Sequence, residues 1–104
     1  TYGTETIFSS RNISSCSVAL LDQSHFVIAS GSGRAIIGHI SGGSVSFGSE
    51  KIFNENQTGA CSVTKLTSSR FVVAFQDVGN SDFGTAIVGS VSGTNISFGD
   101  KFIF

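Results

Sequence analysis

The side chains able to do chemistry gather in four short polar stretches. Residues 9–14 carry Arg11 and Asn12, residues 31–34 end in Arg34, residues 54–59 carry Asn54, Glu55, Asn56 and Gln57, and residues 76–83 carry Gln76, Asp77, Asn80, Asp82 and Phe83. Amide, carboxylate and guanidinium groups are planar and can each make two hydrogen bonds to one partner, and an aromatic ring adds a flat apolar face. That donor set suits the neighbouring hydroxyls of a sugar. Arg34, Asn54, Glu55, Asn56, Asp77, Asn80, Asp82 and Phe83 are therefore the candidate carbohydrate-binding residues. The same residue types also build turns, because Asn and Asp bond their own backbone and Gly adopts positive φ. A purely structural role competes at each position.

Other chemistries find little support. Asp77-Val-Gly-Asn-Ser-Asp82 offers oxygen ligands at short spacing but lacks the alternating acidic positions and distal Glu of a calcium loop. Cys16 and Cys61 do not make a metal site by themselves, and they are expected to be buried free thiols acting as small apolar residues. His25 and His39 are single, and no Gly-x-Ser-x-Gly elbow accompanies them. The sequence thus predicts no enzyme, no metal and no cofactor. The net charge is −1 and the six basic residues are scattered singly, which excludes the clustered cations of a nucleic-acid surface. No apolar run approaches the roughly 18 residues of a membrane span, and no basic stretch followed by an apolar one suggests a secretory leader.

The polar stretches are positioned by a repeat. Cys16-Ser-Val-Ala-Leu-Leu-Asp22 aligns with Cys61-Ser-Val-Thr-Lys-Leu-Thr67, and His25-Phe-Val-Ile-Ala29 with Arg70-Phe-Val-Val-Ala74. After a length difference of about six residues, Ala35-Ile-Ile-Gly38 meets Ala86-Ile-Val-Gly89, and Ser41–Phe53 meets Ser92–Phe104. About 18 of roughly 40 aligned positions are identical. A partial third copy, Tyr2-Gly-Thr-Glu-Thr-Ile-Phe8, stands in front. Residues 1–8 read as an extra outer strand, 9–53 as a first unit and 54–104 as a second.

Each unit reads as four strands. They fall at about 15–21, 25–30, 34–40 and 44–53 in the first, and about 60–66, 70–76, 85–91 and 95–104 in the second. Gly, Ser, Asn and Asp separate them. Charged residues make up only 12%, against roughly 25% in a typical soluble domain. The middle strands are continuous apolar runs such as Phe71-Val-Val-Ala-Phe75, the pattern of strands covered on both faces. The fold class is all-β, with two four-stranded β-propeller blades per chain. Blades typically number about four to eight, so the ring closes by oligomerisation, with a trimer of six blades favoured over two or four chains. Bare faces built from Phe26, Ile28, Ile36, Phe71, Val73 and Ile87 are expected to drive closure. Phe47 and Phe98 are expected to anchor the last strands, with Gly48 and Gly99 allowing a bend. The competing architecture is a single-chain β-sandwich.

The stretch Gly84-Thr-Ala-Ile-Val-Gly-Ser-Val-Ser-Gly-Thr-Asn-Ile-Ser-Phe-Gly99 resembles a repeat of long surface and phage-associated proteins, which implies a propeller-like fold. The two-blade plan is similar to that of the fucose-binding propeller lectins, some of which trimerise into six blades. Those lectins surround the sugar with tryptophans and arginines. This chain has no tryptophan, so none of their residues is carried over. The expectation is a multivalent lectin-like propeller, whose partners are glycans and further copies of the chain. The alternative is a structural or adhesion module of a surface or virion protein with no small-molecule ligand. With the sequons at Asn12, Asn56 and Asn95, a glycan-binding role predicts a secreted or cell-surface location. The long loop with Asp77 and Asp82 is expected to be exposed and to lie beside the Arg34 loop and the 54–57 connector.

Overall fold

The structure is a computed structural model that describes residues 3, 5–9 and 15–104. Arg11, Asn12 and the first sequon lie outside the described residues. The described residues form nine strands: β1 (Cys16–Leu20), β2 (His25–Ser30), β3 (Arg34–Ser41), β4 (Ser44–Phe47), β5 (Lys51–Ile52), β6 (Thr58–Thr67), β7 (Arg70–Asp77), β8 (Phe83–Ser92) and β9 (Asn95–Ile103). There is no helix among the described residues. The strands form two antiparallel meanders, β1-β2-β3-β4 with β5 also on β3, and β6-β7-β8-β9. Of the segment expected to be an extra strand, residues 3 and 5–8 form no strand in this single chain.

The turns follow from the glycines. Gly42 and Gly93 each take φ 63° at the first centre of a two-residue hairpin loop, closing Ser41 on Ser44 and Ser92 on Asn95. That is the Gly position of a II′ turn, whose twist matches the strands it joins. The two units then share an irregularity. In the second, Gly89 pairs Phe98 and Ile87 pairs Lys101, so Gly99 and Asp100 stand opposite Val88 alone. In the first, Gly38 pairs Phe47 and Ala35 pairs Lys51, again with one residue too many on the outer strand. This is the bend expected at Phe-Gly, and it is a β-bulge. In the first unit it divides the expected last strand into β4 and β5.

The repeat extends to side-chain geometry. Phe26 meets Phe47 edge-on at 6.1 Å and 85°, and Phe71 meets Phe98 at 6.0 Å and 89°. Each of Phe26 and Phe71 lies across a glycine on the neighbouring strand, Gly38 or Gly89, where a Cβ would collide with the ring. Phe8 packs on Phe47 at 5.9 Å as Phe53 packs on Phe98 at 6.0 Å. Phe98 is thus half-buried between its own sheet and the incoming connector.

The two sheets pack face to face through one apolar cluster, and they use opposite faces. Cross-strand partners share a face and neighbours along a strand alternate. On the first sheet Val27, Ala29, Ala35 and Ile37 point inward, each at most 1% exposed. On the second the inward set is Val63, Phe71, Val73, Phe75 and Ile87, joined by Phe53, which lies 5.0 Å from Phe75. The repeat equivalents of Val27, Ala29, Ala35 and Ile37 are Val72, Ala74, Ala86 and Val88, and these lie on the open face. Phe71, Val73 and Ile87, expected on a bare face, are instead buried against the first sheet within the chain. Ile36 is also 4% exposed. An unbroken apolar run gives both faces of a strand the same character, so it does not say which one the partner covers.

Candidate functional site

The connector between the sheets is held by backbone bonds at Gly33, whose carbonyl accepts from Phe53 N at 2.8 Å and Asn54 N at 3.2 Å. Gly33 takes φ 78° and has no room for a Cβ beneath the Asn54 carbonyl. The connector carries Asn54 into the interior, where it is 2% exposed. Its Nδ2 donates to Thr58 Oγ1 at 2.8 Å and Asp77 Oδ1 at 3.2 Å, while its Oδ1 accepts from Lys101 Nζ at 2.9 Å and Asn56 N at 3.4 Å. Every donor and acceptor of the amide is engaged, the condition for burying a polar side chain without loss. Lys101 and Asp77 are thereby linked, cation to carboxylate, through a polarised amide.

This corrects the expectation for Asp77. The residue is 2% exposed, because it shares a face with Phe75 and turns toward the connector. Asp77 and Asn54 brace the junction between the sheets. The loop that follows does lean on the connector, with Val78 N and Gly79 N donating to Gln57 O at 2.9 and 3.3 Å. It then closes by Phe83 N to Asn80 O at 3.1 Å, with Ser81 at φ 56° and Asp82 at φ 61°. Two successive positive φ values make this a type I′ turn. Asn80, Asp82 and Phe83 are exposed at its tip. Arg34 starts β3 on the face of Ile36, away from the second sheet, so its Cβ points away from the long loop of its own chain.

A cleft of about 390 Å³ opens between the connector and the β9 bulge. Glu55 and Asn56 line one side, Asp100 and Lys101 the other, and Ile52, Phe53, Ile87 and Phe98 supply the apolar lining. The bulge makes this site, because the extra residue swings Asp100 out while Lys101 stays on the inward face with Ile87. Asp100 and Lys101 were not among the candidate site residues read from sequence, and Phe98 was expected there only as a strand anchor. The signal available was the Phe-Gly bend, which marks where an outer strand re-aims its side chains. A second hollow of about 300 Å³ lies on the open face beside Asp82, Gln76 and Phe104. Asn80 and Phe83 line neither.

In the first unit Asp22 caps a turn. Its Oδ1 accepts from Ser24 N and His25 N, each at 2.8 Å. The backbone bond from Ser24, followed by the His25 ring, holds the Asp22 carboxyl down at about 2. His25 Nδ1 lies 3.0 Å from Asp22 Oδ1 and 3.1 Å from Ser24 Oγ. Both groups meet the same ring nitrogen, so the histidine does not bridge them as a base activating a nucleophile would. His39 packs against His25 with the rings tilted at 45° and 4.8 Å apart, opposite it in register. No group of three or more metal-binding side chains occurs among the described residues. Cys16 is exposed and Cys61 half-buried, and neither is in a disulfide. The expectation of buried thiols is corrected for Cys16, which stands on the open face of edge strand β1. Burial, followed by the neighbouring Cys16, pushes the Cys61 thiol up. Comparison with protein-family models, curated proteins and solved structures found no significant match.

Proposed function

We propose that the chain is a glycan-binding protein acting as part of an oligomeric β-propeller, with the site at the connector–bulge cleft. The observation that supports this most is the composition of the cleft. Two carboxylates, an amide and an ammonium stand beside an aromatic lining in about 390 Å³, within the roughly 300–1,000 Å³ of small-ligand sites. Vicinal hydroxyls need acceptors and donors side by side, and a pyranose ring has an apolar face to lay on Phe98. Lys101 is already oriented by Asn54, so little ordering remains for the ligand to impose. Several such sites on one ring would turn weak single contacts into avidity. A ring of three chains and a secreted or cell-surface location complete this reading. The open apolar sheet faces also suit a structural or adhesion module, and the same experiment separates the two.

A glycan array probed with the whole chain should give a defined set of sugars. Glu55 and Asp100 are exposed, so Glu55→Ala with Asp100→Ala should cut that signal at least about tenfold while circular dichroism and melting stay unchanged, each lost charge-assisted bond contributing about 1.5–3 kcal/mol. No binding by the parent favours the structural module, and undiminished binding by the double variant moves the site off this cleft.

A further inference from the structure

We propose that a second copy of this chain docks head to tail on the open face of the second sheet, repeating between chains the contact its two sheets make within one. The inference rests on the ring-forming part of the reading above and names the surfaces that carry it. The intrachain interface sets Val27, Ala29, Ala35 and Ile37 of the first sheet against Val63, Phe71, Val73 and Ile87 of the second. Each set has a repeat equivalent on the face turned away from that interface. Val72, Ala74, Ala86 and Val88 stand on the open face of the second sheet, with Val88 37% exposed. Val18, Phe26, Ile28 and Ile36 share the other face of the first, with Val18 63% exposed and Ile36 already covered at 4%. The chain therefore ends in two unlike surfaces that match the two halves of an interface it already contains. Val-Ala-Ala-Val stands in for Val-Ala-Ala-Ile, and Val-Phe-Ile-Ile for Val-Phe-Val-Ile.

The centre of the open face of the second sheet carries Ser62, Thr64, Val72, Ala74, Ala86 and Val88 with no charge, Arg70 standing at its edge, and an uncharged apolar centre of this kind marks an association surface. Because the two surfaces differ, the contact is heterologous and passes from copy to copy until a ring closes. The edge of the junction is also prepared. Gly3 lies against the Gly43 turn as Gly48 lies against the Thr94 turn, and Phe8 sits on Phe47 as Phe53 sits on Phe98. Residues 3 and 5–8 thus lie over the first sheet where the last strand of a preceding unit would run. Gly99–Phe104 of the neighbouring copy is equivalent to them in sequence, so one of the two tails leaves that edge on docking.

The test uses two variants that each spoil one surface. Val88→Lys and Val18→Lys change exposed residues, so both should keep the parent's circular dichroism and melting temperature as monomers. In sedimentation analysis the parent should assemble, and each variant alone should be monomeric at the same concentration. An equal mixture should give a one-to-one dimer and nothing larger, because each variant retains the surface its partner needs. On assembly of the parent, the exposed thiol of Cys16 should react several-fold more slowly, as its equivalent Cys61 is half-buried at the intrachain junction. A monomeric parent overturns the inference even where glycans bind. Assembly of one variant like the parent overturns it too, pointing to like-face pairing. Assembly without glycan binding overturns only the proposed function.

Discussion

Asp22 and Asn54 are both polar residues next to turns, yet they work in opposite surroundings. Asp22 is an exposed cap whose carboxylate accepts two backbone bonds, and its charge is what the turn uses. Those bonds, with Ser24 the largest influence, hold its pKa at about 2 instead of 3.8. A depressed carboxyl favours the fold above the ordinary pKa and loses that contribution as pH falls through the depressed one. The Ser24 and His25 amide resonances should therefore titrate with a midpoint near 2 and not near 3.8, and Asp22→Asn should abolish that titration. A midpoint at the ordinary value would show that the cap does not form. Asn54 carries no charge and is satisfied on all sides, so its role is to join three strands at one point.

At the scale of elements, the loops divide into those that glycine makes easy and one that it does not. Gly33, Gly42 and Gly93 occupy positive φ at no steric cost. The β7–β8 turn places Ser81 and Asp82 there instead. Asp tolerates this region, whereas serine gains little from it. Ser81→Val, though exposed, should destabilise by about 1–3 kcal/mol because a β-branched side chain fits this conformation worst, and Ser81→Gly should be neutral or stabilising by up to about 1 kcal/mol. Urea unfolding of the two variants checks this. Equal stability would mean that the turn relaxes out of the I′ form. The strain lies next to the connector and not in the cleft, so these variants should leave the cleft intact.

For the whole molecule, the phenylalanine at the end of each repeat reports how far the junctions are built. Phe53 is 2% exposed in the core between the sheets, Phe8 is half-buried on the first sheet, and Phe104 is 82% exposed. Truncation to Ala should follow that order. Phe53→Ala should cost about 3–5 kcal/mol and broaden or split the unfolding transition, because the residue belongs to the one cluster that both sheets share. Phe8→Ala should cost less, and Phe104→Ala should stay within about 0.5 kcal/mol in the monomer. A flat series across the three would show that the repeat does not stack.

The residues alone determined the strands and their repeat. Glycine and serine at two-residue loops, and the shared Phe-Gly step, mark where each strand turns or bends, and these are local backbone requirements that neighbours do not alter. The expected grouping of loops is also present, since the Arg34 loop, the connector and the long loop meet through Gly33 and Gln57. Tertiary structure decided which face each sheet buries and which polar residues stay exposed. Phe71-Val-Val-Ala-Phe75 is apolar at both parities, so the pattern is symmetric and only the partner sheet breaks that symmetry. Asp77 and Asp82 flank one loop with the same side chain. Asp77 is drawn inside because a satisfied amide from the connector reaches it, and Asp100 and Lys101 are brought to Glu55 and Asn56 across more than 40 residues of chain. Such pairings depend on how the connector packs against the distant strands of its sheet, which no local spacing encodes.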